Sequence, residues 1–374
     1  MSLPSAVKIR EVGPRDGFQN EPETIATDHK VALIDALART GLQRLEATSF
    51  VRPDVIPQLA DAADVLARID VPEEVAVSVL IPNERGLDRA LALREELASR
   101  PGSASGFGAV ADGGDVAASE GDARPRSRAA FDEGDGSAGE DGARSTARTR
   151  PAFDEVNVFM SASETHNRKN VNMSIADSLA GLARVLARAR TEGLRCEAVI
   201  STAFGCPYEG RVPPERVLEI AALLSEAGAQ EIGFGDTTGM ANPRQVADSF
   251  GFWRDGLPGV ELTAHFHNTR GQGLANVLAA LQAGIESFES SFGELGGCPV
   301  PAGATGNIAT EDLVSMLHEM GIATGVDLDA LLACAREVRE ALGRPLGSHT
   351  LIAGPIEWGG GGVSSPRRPR PPRA

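Results

Sequence analysis

The sequence predicts a (β/α)8 barrel, and three observations carry that reading. Short apolar runs alternate with amphipathic helical stretches along most of the chain. Eight such strand–helix pairs follow one another, which implies a parallel sheet and favours closure. Polar and ionisable residues recur where the strands end, the face on which such barrels build their sites. An open doubly wound sheet is the alternative, since the two differ by only a strand or two in such a count.

Residues 7–12 read as the first strand. The helix over 28–39 places Val31, Ile34 and Leu37 on one face, with Gly41 just past its end. Strand 42–47 pairs with helix 56–68, strand 75–80 with helix 84–98, and strand 156–160 with helix 175–190. Strand 196–201, helix 214–227, strand 231–235 and helix 243–253 continue the rhythm. The seventh strand enters through Val260, Leu262 and Ala264 and runs into His265 and His267, before helix 274–283. Strand 287–292 and helix 310–320 complete the series, and the whole catalytic domain is placed at 7–345.

Between Arg100 and Pro151 there is no leucine, isoleucine or methionine, and Gly, Ala and Ser make up 27 of the 50 residues 101–150. That composition cannot bury enough apolar surface to offset its ordering entropy, so 101–150 reads as a disordered insertion. It falls in a helix-to-strand connection, on the barrel face away from the functional loops. Its Arg128-Ala-Ala-Phe-Asp-Glu133 is echoed by Arg150-Pro-Ala-Phe-Asp-Glu155, a local duplication of which only the second copy leads into a strand. Residues 359–374, rich in Gly, Pro and Arg, read as a disordered tail.

The 374 residues are 42% hydrophobic and 24% charged, as in a soluble globular protein. A net charge of −16 argues against nucleic acid or an anionic membrane as partner. No apolar run approaches the roughly 20 residues that span a bilayer, and the amino terminus has no apolar signal region. Cys196, Cys206, Cys298 and Cys334 show no CxxC or framework spacing, so reduced thiols in a cytoplasm are expected.

His265 and His267 stand two apart on a strand, so both rings share a face and can reach one ion; two hydrogen-bonded strand histidines are the alternative. Asp16, in the loop after the first strand, is the natural carboxylate partner or else a turn aspartate. Asn307 offers an amide oxygen or caps the helix over 310–320. Two imidazoles, a carboxylate and an amide oxygen form a set suited to Mg2+ or Mn2+. Asp236 reads as ligand, supporting partner or turn residue. Cys298, in a Gly-rich loop, reads as an acid/base thiol or an unreactive loop cysteine.

The segments VGPRDGFQNE (12–21), EATSF (46–50), SETHNRKNVN (163–172), FGCPYEG (204–210), GDTTG (235–239), HFHNTRGQGLAN (265–276) and GGCPVPAGATGNIATED (296–312) resemble the 3-hydroxy-3-methylglutaryl-CoA lyase family of metal-dependent TIM-barrel lyases. The resemblance spans about 7–325 apart from the insertion; the Arg-Asp-Gly and HxH elements occur across the superfamily, whereas the GGCPxxxGxxGN loop marks the lyase branch. It implies Asp16, His265, His267 and Asn307 as ligands of a divalent cation, Cys298 as catalytic thiol, and Arg15 as the group contacting the substrate carbonyl oxygen. Asp236 and Glu46 fall where the family keeps acidic residues important to the site. Asn268 and Arg270 depart from an aspartate and an aromatic common at those places, which bears on acyl-group specificity.

The implied reaction is the retro-Claisen cleavage of 3-hydroxy-3-methylglutaryl-CoA to acetyl-CoA and acetoacetate, in a cytoplasmic homodimer acting on an acyl-CoA thioester. Citramalyl-CoA or a longer-branched 3-hydroxyglutaryl-CoA is the alternative substrate. A condensing synthase is disfavoured because no regulatory domain follows the barrel. A non-catalytic barrel acting through its insertion is the reading from another class, and the joint presence of Asp16, His265, His267, Asn307 and Cys298 argues against it.

Overall fold

The structure, a computed structural model, describes residues 3–99, 150–297 and 305–358. Eight parallel strands close on themselves in chain order: β1 Lys8–Glu11, β2 Arg44–Ser49, β3 Ala76–Leu80, β4 Glu155–Ser161, β5 Arg195–Ser201, β6 Glu231–Asp236, β7 Glu261–Phe266 and β8 Ser287–Ser290. Pairing of β1 with β8 completes the barrel, and the open-sheet alternative is excluded. Around it run α1 Thr27–Ala38, α2 Ala62–Arg68, α3 Glu84–Ser99, α4 Glu164–Val171, α5 Ile175–Thr191, α6 Pro214–Glu226, α7 Pro243–Gly256, α8 Gly273–Gln282 and α9 Thr310–Glu319. Helices α10 Leu328–Leu342 and α11 His349–Ala353 follow. No described helix is long and apolar enough to cross a membrane.

Several helices, α4, α5, α7, α10 and α11, start where a side chain satisfies an orphan amide. Ser174 accepts from Asp177 N at 3.0 Å to open α5, and Asn242 accepts from Gln245 N at 3.1 Å to open α7 ahead of Pro243. Outward-facing strand residues such as Val156, Val158, Ile232, Phe234, Ala264 and Phe288 are buried against these helices. Trp253 of α7 stacks on Phe234 with centroids 4.2 Å apart and donates its indole N–H to Pro214 O at 3.0 Å.

The inward-facing positions are charged, unlike the apolar layers that usually fill such barrels. Arg10, Arg44, Glu155, Glu197, Glu231 and Glu289 are all buried. Arg44 donates to Glu231 at 2.6 and 2.7 Å and to Glu155 at 2.9 Å. Burial opposes the charge on Arg10, but Glu231, Glu289 and Glu155 outweigh it and raise its pKa. Arg10, Arg44, Glu155 and Glu231 each face more than one opposite charge, which is the condition under which buried charge is tolerated, while Glu197 contacts Arg10.

Three sequence expectations are modified. The single helix over 56–68 is a 3-10 turn Pro57–Leu59 followed by α2, and strand 287–292 stops at Ser290 because Phe292–Glu294 forms another 3-10 turn. Arg150, counted with the insertion, belongs to the fold: its guanidinium donates to Pro72 O at 2.5 Å and Val75 O at 2.9 Å and contacts Asp154. The rest of that insertion, the tail from 359 and Cys298 lie outside the described residues.

Candidate active site

Immediately after β1 the chain forms a π-helical turn, Gly13–Gly17, in which Asp16 N donates to Val12 O at 2.7 Å. The close approach of the Phe292 ring requires glycine at 13, since a Cβ there would lie 2.4 Å from a ring carbon. The turn delivers Arg15 and Asp16 to the barrel mouth. Asp16 Oδ1 accepts from Arg15 at 2.6 Å and from Gln19 at 2.9 Å, while Oδ2 accepts from Asn307 Nδ2 at 2.7 Å.

His265 lies in β7, and His267, one residue past the strand, bridges to Asn307. Their Nε2 atoms face each other at 3.1 Å. One ligating atom from each of Asp16, His265 and His267 lies within 4.8 Å of the others. Asn307 Oδ1 is buried with no hydrogen-bond partner among the described residues, and Asn307 does not cap α9, whose N-cap is Ala309. The structure thus brings Asp16, His265, His267 and Asn307 together. Two facing ring nitrogens, a carboxylate and an orphaned amide oxygen fit a divalent cation of the Mg2+ or Mn2+ type.

The electrostatics of Asp16 and His267 favour the same assignment, whereas those of His265 favour its charged form. Burial works against the Asp16 charge, but Arg15 and His265 hold the carboxyl below its usual range. Burial and the neighbouring His265 push His267 down to about 4, so its ring is neutral at pH 7. Burial also opposes charge on His265, yet the hydrogen bond and charge of Glu289 raise its pKa. Glu289 Oε2 accepts from His265 Nδ1 at 2.8 Å. Burial would raise Glu289, but His265 and Arg10 hold it at about 2.

Arg15 is fixed from two sides. Its Nε donates to Glu46 at 2.5 Å, and Glu46 accepts from Asn157 at 2.9 Å on its other oxygen. Glu46 is fully buried beside a register shift in β2, so its place is beneath Arg15. Asp236 ends β6. Its Oδ1 accepts from Met240 N at 2.7 Å and Ala241 N at 3.0 Å, while its buried Oδ2 has no partner among the described residues. Burial pushes this carboxyl up to about 7, against those two amides and the charges of His265 and Arg270. Arg270 donates to Thr238 O at 2.8 Å and Gly239 O at 2.7 Å, pinning the loop that follows Asp236. Asn268 accepts from Gly273 N at 3.3 Å where α8 begins. Gly296, on the described side of the segment holding Cys298, borders Asp16 and Asn307.

Sequence reasoning missed Glu289 and Gln19. A charged residue inside a strand otherwise read as buried was the available signal for Glu289.

Fold and site together define a TIM barrel with a candidate divalent-cation site at the carboxyl ends of its strands. Residues 137–338, more than half of the chain, match the HMGL-like family. Hydroxymethylglutaryl-CoA lyase YngG of Bacillus subtilis is 42% identical over 351 residues, covering 94% of this chain and 98% of that one. The crystal structure of the Bacillus subtilis HMG-CoA lyase superposes with a TM-score of 0.77 at 41% identity, over 94% of this chain and 99% of that one. An HMG-CoA lyase from Acinetobacter baumannii, solved in complex with coenzyme A and 3-methylmalate, gives 0.76 at 34% identity over 95% and 97%. The chain belongs to the HMGL-like family.

Proposed function

We propose that this chain is a carbon–carbon lyase that cleaves 3-hydroxy-3-methylglutaryl-CoA to acetyl-CoA and acetoacetate with the help of a divalent cation. The observation that carries the reading is the convergence of Asp16, His265, His267 and the orphaned Asn307 Oδ1 at the carboxyl end of a closed barrel. The relatives' substrate supplies the rest. Mg2+ or Mn2+ as the ion, a cytoplasmic location and a homodimer are proposed with it.

Asp16, His265, His267 and Asn307 would hold a divalent cation, which would supply Lewis acidity that makes the substrate's hydroxyl a stronger acid. The unpartnered Oδ2 of Asp236 accepts the proton of the substrate's tertiary hydroxyl. The carbon–carbon bond then breaks to give acetoacetate, and its electron pair passes into the thioester as an enolate. Arg15, locked by Glu46 and Asp16, holds a preorganised cation where the enolate oxygen gathers charge. Cys298 delivers a proton to the enolate carbon and acetyl-CoA results. Glu46 acts through Arg15 rather than on the substrate.

A panel of thioesters tests the reading. Purified protein with Mg2+ is expected to turn over 3-hydroxy-3-methylglutaryl-CoA with the highest kcat/KM. A higher value for citramalyl-CoA or a longer-branched 3-hydroxyglutaryl-CoA would reassign the substrate while keeping the reaction class.

A further inference from the structure

We infer that Glu289, seated between Arg10 and His265, is a positioning residue that sets the orientation of the His265 ring for cation binding. The inference rests on the reading of Asp16, His265, His267 and Asn307 as the cation's ligands. In the barrel register Glu289 pairs with His265 on one side and with Arg10 on the other. Both of its oxygens are committed: Oε2 accepts from His265 Nδ1 at 2.8 Å and Oε1 from Arg10 Nη1 at 2.9 Å. In the neutral ring, the form that binds a cation, an Nδ1 that donates to an anion leaves Nε2 as a bare lone pair. That Nε2 is the atom 3.1 Å from the matching nitrogen of His267.

Arg10 is itself held from beyond. It contacts Glu197 and lies 3.3 Å from Glu155 and 3.6 Å from Glu231. The chain His265–Glu289–Arg10 therefore ties the orientation of one ring at the barrel mouth to the ion network in the barrel interior. Glutamine at 289 cannot replace the carboxylate, because both neighbours donate. An amide offers one acceptor oxygen, so its NH2 must face either Arg10 or the ring N–H. The ring then rotates, takes its proton on Nε2, or loses its partner.

The test uses the full chain without any acyl-CoA, titrated with Mn2+ while free Mn2+ is followed by electron paramagnetic resonance. Glu289→Gln is expected to raise the Mn2+ Kd by about 10–100-fold, the usual cost of losing a partner behind a metal-bound histidine. A folded Glu289→Gln protein that binds Mn2+ as tightly as the parent overturns the inference. Should that variant not fold, 15N spectra of the Mg2+-loaded parent decide: a proton on His265 Nδ1 is expected, and a proton on Nε2 overturns the inference. Failure of the parent to bind Mn2+ at all overturns the cation reading, and this inference with it. Loss of 3-hydroxy-3-methylglutaryl-CoA turnover alone touches neither result.

Discussion

Burial pushes the Asp236 carboxyl up to about 7, which suits a base working near neutrality. A base must be ionised, so kcat/KM is expected to fall as pH drops through about 7 and to level off above it. Asp236→Asn should remove that limb and lower kcat/KM by about 10²–10⁴-fold, measured in single-substrate assays across pH. The same shift has the opposite sign for stability. A carboxyl raised on folding contributes stability below its unfolded pKa of 3.8, and loses it as pH rises through about 7. Asp16→Asn should raise the Mn2+ Kd beyond the roughly 10–100-fold that outer partners cost, because it removes a ligand oxygen and its charge. As candidate ligands, Asp16, His265 and His267 were legible because each falls at or just past a strand end, and Asn307 because it closes the glycine-rich loop that follows the eighth strand. Glu289 was not, because a polar residue inside a strand looks the same whether it faces water or a charged barrel interior.

At the scale of elements, the loops after β1 and β8 hold each other in place. Asn307 donates to Asp16 and to Leu295 O at 3.1 Å, and Asn268 N donates to Gly306 O at 3.0 Å. Gly306 has no room for a side chain: a Cβ would lie 2.0 Å from Glu294 O and 2.6 Å from Gly296 O. Gly306→Ala must therefore displace the segment that presents Asn307. It is expected to weaken Mn2+ binding by at least about tenfold, read by the same titration. The π-helical turn at Gly13–Gly17 could not be read from sequence, because Gly-Pro-Arg-Asp-Gly also suits ordinary turns. The strands and most long helices were legible from their periods, with ends displaced by up to three residues, whereas α10 was not read from the sequence. Helix α4 was missed because Glu164–Val171 is almost wholly polar and its helicity depends on Ser163, which accepts from His166 N at 3.1 Å.

Over the whole molecule, closure of eight strands brings residues as distant in sequence as Asp16 and Asn307 to one face. The charged interior beneath them is the feature least visible in the sequence, since Arg10, Arg44 and Glu231 acquire partners only when the barrel closes. Arg44→Met leaves Glu155 and Glu231 short of a buried counter-ion. It is expected to cost about 3–5 kcal/mol of stability, measured by urea unfolding. The central claim concerns what this framework does to a thioester. The most direct measurement follows acetoacetate and acetyl-CoA together as the purified chain consumes 3-hydroxy-3-methylglutaryl-CoA, before and after chelation. Equal amounts of both products are expected, abolished by a chelator and restored by Mg2+ or Mn2+. Release of neither product, or cleavage indifferent to the chelator, would contradict the account.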